Sequence, residues 1–201
     1  PTITIAATTL TNPYALQDDI FVIKYDGAGN MLWAKSEGGN KSDEGDGIAT
    51  DDFGNVIVTG QFRSNSITFG NTTLINPDQM FQTPEYFIVK YDSAGTVLWA
   101  QRAGDDDYDQ GYSTTTDAAG NIFVTGNFLS DTITFGNIML VNAATFGGSP
   151  DFFIVKYDSS GNVLWAKRAG GPVGYGEKGY CVATDAPGNV YVTGSFYSQS
   201  I

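Results

Sequence analysis

Trp33, Trp99 and Trp165 are the three tryptophans of the chain, and they stand 66 residues apart with the same phrase around each. The frames read Phe21-Val-Ile-Lys-Tyr-Asp-Gly-Ala-Gly-Asn-Met-Leu-Trp-Ala34, Phe87-Ile-Val-Lys-Tyr-Asp-Ser-Ala-Gly-Thr-Val-Leu-Trp-Ala100 and Phe153-Ile-Val-Lys-Tyr-Asp-Ser-Ser-Gly-Asn-Val-Leu-Trp-Ala166. A unit copied at a fixed period must bury its apolar faces against its own copies. Packing is therefore the first explanation for any residue that recurs, and only the departures between copies point to a particular site.

Each copy holds two pairs of apolar segments joined by the same kind of turn. One pair is Gly47-Ile-Ala-Thr-Asp51 and Asn55-Val-Ile-Val-Thr-Gly-Gln-Phe62, linked through Asp51-Asp-Phe-Gly54, with equivalents at Asp117–Asn121 and Asp185–Asn189. The other pair is the tryptophan frame, linked through Asp26–Gly29, Asp92–Gly95 and Asp158–Gly161. Asp opening and Gly closing a short link predicts a type I turn followed by a left-handed residue, the geometry of a tight hairpin. Two hairpins predict a four-stranded meander. Segments such as Phe87-Ile-Val-Lys-Tyr91 are apolar at nearly every position, which suits strands covered on both faces. The expected fold is all-β, a propeller of four-stranded antiparallel blades; no segment shows a helical period.

Blades of the tryptophan-aspartate type need about 40 to 45 residues. The surplus in each copy lies between the second and third strands, at 66–85 and 132–150, where Gly70-Asn71 and Gly136-Asn137 stand between short β-prone arms and predict a small added hairpin. The first copy has Ala6-Ala7 at that turn and is expected to form it less crisply.

The repeated phrases Gly188-Asn-Val-Tyr-Val-Thr-Gly194, Phe153-Ile-Val-Lys-Tyr-Asp158 and Leu164-Trp-Ala-Lys-Arg-Ala-Gly170 resemble the bacterial SBBP β-propeller repeats over nearly the whole chain. The family's acidic-Gly element before the first strand is matched by Asp43-Glu44-Gly45, Asp109-Gln110-Gly111 and Glu177-Lys178-Gly179, the last with Glu in place of Asp. The resemblance implies an extracellular or cell-surface scaffold or binding module without shared catalytic residues.

The termini fall at nearly the same phase of the repeat, since Gly194–Ile201 matches Gly60–Ile67 and Ile67 is the counterpart of Ile3. The expected division is a half-blade over 1–40, whole blades over 41–106 and 107–172, and a half-blade over 173–201. Propellers have about four to eight blades, and unpaired half-blades would expose apolar edges. Two solutions stand open: a second copy, head to tail, closing a six-bladed ring, or further blades of a longer chain.

Charge and composition narrow the partners. Ten basic against 22 acidic side chains give a net charge of −12, a field that repels nucleic acid and anionic lipid. No run approaches the about 18 apolar residues of a membrane helix, and Pro1-Thr-Ile-Thr-Ile5 has none of the regions of a signal peptide. There is no histidine, which removes the commonest general base and transition-metal ligand. The lone Cys181 corresponds to Gly47 and Ser113 and is expected to be a buried, inert thiol.

Binding residues are sought where copies differ, in the loops of the face that carries the added hairpins. Tyr14, Phe81, Tyr108, Phe146 and Tyr175 lie there beside Asn, Asp and Gly, a combination suited to a glycan or a surface protein. Asp105, Asp107 and Asp109 alternate as at the start of a calcium loop, although Gly111 falls one residue late and no Glu follows at the twelfth position. No copy stands out as an acid/base pair, so the chain is read as non-enzymatic, with calcium as the one cofactor to consider. Lys24, Lys90 and Lys156, inside apolar strands, are expected to snorkel or to pair with recurrent carboxylates such as Asp43, Asp109 or Glu177. The tryptophans are expected to pack between blades.

Overall fold

The computed structural model describes residues 1–144, 148–171 and 176–198. Every element among them is a β-strand. The first copy gives β1 (Thr2–Ile5), β2 (Thr8–Thr11), β3 (Ile20–Tyr25) and β4 (Met31–Glu37). The second gives β5 (Asp43–Thr50), β6 (Val56–Phe62), β7 (Ser66–Phe69), β8 (Thr72–Ile75), β9 (Glu85–Tyr91) and β10 (Val97–Ala103). The third gives β11 (Asp109–Thr116), β12 (Ile122–Phe128), β13 (Thr132–Phe135), β14 (Ile138–Val141), β15 (Asp151–Tyr157) and β16 (Val163–Ala169), followed by β17 (Lys178–Thr184) and β18 (Val190–Ser195).

Two antiparallel four-stranded sheets form the middle of the chain, in the orders β5-β6-β9-β10 and β11-β12-β15-β16. β3-β4 and β17-β18 are two-stranded sheets on either side of them, and β1-β2, β7-β8 and β13-β14 are the added hairpins. The central strands are apolar throughout because both faces are covered: every residue of β6, β9 and β12 is buried. One core cluster joins Ile20 and Val22 of β3 to Val58, Phe87 and Val89 of the first four-stranded sheet. A second joins Ile57 and Ile88 on its other face to Val124, Phe153 and Val155 of the next sheet, and a third joins Phe123 and Ile154 to Val182. Like sheets are thus stacked face to face, which is the propeller-like arrangement that the repeat requires.

The turns follow the Asp and Gly spacing. At 51–54 the Gly54 amide donates to Asp51 O at 2.9 Å and Gly54 takes φ +74°, while the Asp51 carboxylate accepts from the Phe53 and Asn55 amides at 3.0 Å. The tryptophan frames close in the same way, with Gly29, Gly95 and Gly161 left-handed.

Two features depart from the sequence reading. β1-β2 pairs over the same four-residue register as β7-β8 and β13-β14, so the first hairpin is as complete as the others. Its Ala6 is forced to φ +51° where Gly70 and Gly136 take φ +57° and +56°. The first strand of each unit also starts earlier than its apolar run, by four residues in β5 and β11 and by three in β17, and carries a register shift between Gly45 and Gly47, repeated between Gly111 and Ser113 and between Gly179 and Cys181. The extra residue of this bulge is Asp46, Tyr112 or Tyr180, and a bulge re-aims its side chain: the Tyr112 and Tyr180 rings meet at 5.7 Å, and Gln110 Nε2 donates to Asp46 at 3.1 Å.

Cys181 is exposed, against the expectation of a buried thiol. It lies in β17, which no further sheet covers on its outer side among the described residues, whereas its counterpart Ser113 is held between neighbours and accepts from the Val182 amide at 3.2 Å. The tryptophans pack between sheets as expected. Trp33 Nε1 donates to Ser93 O at 3.1 Å and Trp99 Nε1 to Ser159 O at 3.3 Å, each reaching from one sheet to a turn of the next.

Candidate interaction face and the buried acids beneath it

The loop-rich end is assembled from two kinds of connection, those entering the first strand of a unit and those leaving its second strand. They are stitched together: Arg63 N donates to Ser42 O at 3.2 Å, Asn65 N to Asn40 Oδ1 at 2.9 Å and Leu129 N to Tyr108 O at 2.7 Å. Variable loops therefore share one end of the molecule because recurrent hydrogen bonds pin their bases.

Of the aromatic candidates, Tyr14, Phe81 and Tyr108 are exposed, Phe81 to 75%. Phe146 and Tyr175 lie outside the described residues. Among the described residues no ring contact joins Tyr14, Phe81 and Tyr108. Tyr108 is engaged instead by Arg63, whose guanidinium lies 4.9 Å from the ring centroid and also hydrogen-bonds the hydroxyl. Leu16 and Met80, which the sequence reading passed over, are exposed beside Tyr14 and Phe81 in the same loops.

Asp105, Asp107 and Asp109 have separate duties. Asp109 is fully buried and its Oδ2 accepts from Ser130 Oγ at 2.7 Å and from the Asp105 amide at 3.3 Å. Asp107 Oδ1 accepts from the Tyr108 amide at 2.8 Å. Among the described residues no group of three or more His, Cys, Asp or Glu side chains is arranged to hold a metal ion.

Asp109 has recurrent equivalents in role. Asp43 Oδ2 accepts from Ser64 Oγ at 2.7 Å, and Glu177 Oε1 from the Ser198 amide at 3.0 Å. The acidic-Gly element is therefore a buried staple that ties one loop base to the other. Beside each staple sits a second acid, which the sequence reading missed although it opens every third strand: Asp19, Glu85 and Asp151. Gly38, Gly104 and Gly170 make room for them, since a Cβ on Gly104 would lie 2.6 Å from Glu85 Oε2 and 2.3 Å from Asp109 Oδ2. One oxygen of each, Asp19 Oδ1, Glu85 Oε1 and Asp151 Oδ1, is buried without a hydrogen-bond partner. Arg102 and Arg168 face the latter two, at 3.4 and 2.8 Å.

Removal from water penalises the charged form of such groups. Burial, then the neighbouring Asp109 charge, pushes Glu85 up to about 10 against the pull of Arg102. Burial pushes Asp109 up to about 7, partly offset by the Ser130 hydrogen bonds. Burial likewise raises Asp19, Asp43 and Asp151.

Two of the three strand lysines pair with carboxylates, but with different ones from those expected, and Lys24 has no carboxylate partner among the described residues. Lys90 Nζ lies 3.0 Å from Asp51 Oδ2 and Lys156 Nζ 3.4 Å from Asp117 Oδ2. Asp43, Asp109 and Glu177 sit at the opposite end of the meander, whereas the lysines end the third strands, next to the turn between the first two. Lys90 also donates to Ser159 O at 3.2 Å, and Lys24 to Ser93 O at 2.8 Å.

No family model matches the chain. It is 30% identical over 198 residues to an uncharacterized WD repeat-containing protein of Acanthamoeba polyphaga mimivirus, an alignment covering 91% of this chain and 14% of that protein. It is 29% identical over 119 residues to the regulatory protein FlaEY of Caulobacter vibrioides, covering 59% of this chain and 12% of that protein. The chain thus spans a small fraction of the length of the curated relatives it matches. Tandem 66-residue units folded as stacked antiparallel meanders, together with similarity to a WD repeat-containing protein, make this a repeat chain of the β-propeller-like kind.

Proposed function

We propose that the chain is a non-catalytic interaction module whose loop-rich end engages a protein or glycan, within an exported or cell-surface bacterial protein as the resemblance to SBBP repeats implies. The observation that carries this reading is the split between recurrent and variable positions. Recurrent aromatics such as Phe62, Phe87, Phe128 and Phe153 are buried, whereas Tyr14, Leu16, Met80 and Phe81, in loops that vary between copies, are exposed. An exposed apolar face beside Asn and Asp side chains is what a sugar ring or an extended peptide uses. The buried acids hold loops in place, Asp109 through the Ser130 hydroxyl and Asp43 through the Ser64 hydroxyl.

A purely structural spacer is the second reading, favoured by Arg63, whose guanidinium covers the Tyr108 ring from within the molecule. A glycan array probed with the parent chain and with Tyr14→Ala/Phe81→Ala/Tyr108→Ala separates the two. Binding by the parent that the triple variant loses, at unchanged melting temperature, supports the module. Absence of binding by the parent at high concentration removes the glycan reading and leaves the spacer or a protein partner.

A further inference from the structure

The bulge recurs at the same step of each first strand, but the residue it re-aims does not recur: Asp46 stands between Gly45 and Gly47, Tyr112 between Gly111 and Ser113, and Tyr180 between Gly179 and Cys181. Packing between like copies explains a residue that repeats. It leaves these three side chains, held in a repeated backbone, without an explanation.

The strands that carry them are neighbours, since β11 packs against β5 on one side and β17 on the other. Close approach is built in at Gly47, where a Cβ would lie 2.9 Å from Ser113 Cα and 3.0 Å from Tyr112 O. The Tyr112 and Tyr180 rings, 5.7 Å apart, are tilted by 54°, so their faces open as a V instead of closing as a stack. From β5, Asp46 Oδ2 accepts from Gln110 Nε2 of β11 at 3.1 Å. Tyr112 itself is half-buried, with part of its surface left to solvent.

The charge at this spot is negative and unbalanced. Burial raises the Asp46 carboxyl, the Gln110 hydrogen bond offsets part of this, and the Glu44 charge raises it further. Glu44 in turn accepts only from a neutral amide, Gln61 Nε2 at 3.1 Å. Burial, then Tyr180 and Asp46, push the Tyr112 hydroxyl up to about 12, so the ring stays neutral. Among the described residues no lysine or arginine pairs with Asp46 or Glu44 or lies over the Tyr112 or Tyr180 ring. Elsewhere the chain fills the same combination from within. Lys156 Nζ lies 4.7 Å from the Phe123 ring centroid and 3.4 Å from Asp117 Oδ2, and the Arg63 guanidinium lies 4.9 Å from the Tyr108 centroid.

We infer that Asp46, Tyr112 and Tyr180 form a site for an arginine side chain of a partner peptide, its guanidinium lying over the tyrosine rings and pairing with the Asp46 carboxylate. A guanidinium suits both walls, because its plane stacks on an aromatic face while its edge offers several donors to a carboxylate. The net charge of −12 draws such a partner toward the chain. The proposal rests on the interaction-module reading with a protein as the partner, and it shares no residue with Tyr14, Phe81 and Tyr108.

Titration of the purified chain, its tyrosine rings isotope-labelled for NMR, with an acetylated and amidated Gly-Arg-Gly tripeptide tests it. The ring signals of Tyr112 and Tyr180, assigned by their loss in Tyr112→Leu and Tyr180→Leu, are expected to move saturably, and a Gly-Gln-Gly tripeptide is expected to leave them in place. Tyr112→Leu is expected to weaken binding about fivefold. Asp46→Asn keeps an acceptor for Gln110 while removing the charge, and is expected to weaken binding about threefold. Asp52→Asn, which removes one charge at the exposed turn at the far end of β5, keeps the parent affinity. Unmoved ring signals in the parent, or equal shifts from Gly-Gln-Gly, overturn the proposal. So does parent affinity in Tyr112→Leu at a lowered melting temperature, since the ring then only packs, and so does equal weakening by Asp46→Asn and Asp52→Asn, which reports overall charge alone. Tyrosine shifts in a chain that binds nothing on the glycan array support the site and remove only the glycan partner, whereas glycan binding with unmoved tyrosine signals overturns the site alone.

Discussion

At the scale of single residues, the molecule carries two populations of carboxylates with opposite responses to pH. Turn aspartates such as Asp158 and Asp92 accept hydrogen bonds that favour their ionised form and hold them below the usual aspartate range, Asp158 chiefly through Asn162 and Asp92 through the Thr96 amide. Their contribution is present above the ordinary value near 3.8 and is lost as pH falls through their lowered values. Glu85 and Asp109 act the other way. Their folded-state values, about 10 and about 7, lie above the ordinary 4.5 and 3.8, so the native state holds protons that the unfolded chain releases. Stability from these two is complete below the ordinary values and declines as pH rises through about 7 and then about 10. Glu85→Gln is therefore expected to match the parent in melting temperature at pH 5 and to exceed it at pH 9. Parallel profiles across that range would show that Glu85 carries no such proton. The sequence made half of this visible. Asp43, Asp109 and Glu177 stood out because each precedes a glycine at a fixed phase, whereas Asp19, Glu85 and Asp151 were hidden at the head of apolar strands, and proximity across a loop leaves no trace in spacing.

At the scale of elements, hairpins were the most legible part of the chain because their turns have a chemistry of their own. Asp at the start and left-handed Gly at the end were sufficient to place the first and last links of each meander. The bulge in each first strand was not legible, since the bulged position is Asp46 in one unit and Tyr112 and Tyr180 in the others, with no glycine there to mark it. Glycines at the same turn position nevertheless differ in what surrounds them. Gly161 takes φ +90°, and a Cβ there would lie 2.7 Å from Gln101 Nε2 and 3.1 Å from the Trp99 ring, while Gly188 takes φ +88° with nothing within 4 Å. A left-handed alanine costs about 1–2 kcal/mol from the backbone alone. Gly188→Ala is expected to lose about that much in urea unfolding, and Gly161→Ala measurably more because Trp99 must shift as well. Equal losses would mean that the tryptophan does not seat on the neighbouring turn.

At the scale of the whole molecule, recurrent residues stack the sheets and variable ones occupy one end of the stack. The 66-residue spacing of the tryptophans made the stack legible, because Trp33 and Trp99 each reach from one unit to a turn of the next and their period is that of the architecture. The loop face was legible only in outline, as a set of places where copies disagree; the engagement of Tyr108 by Arg63 depends on contacts between loops that no periodicity encodes. The most direct measurement compares melting temperature and binding in two variants, Phe87→Ala at a buried recurrent position and Phe81→Ala at an exposed variable one. The account predicts that Phe87→Ala lowers the melting temperature and that Phe81→Ala leaves it unchanged while weakening binding to the glycan or protein partner; the reverse pattern would contradict it.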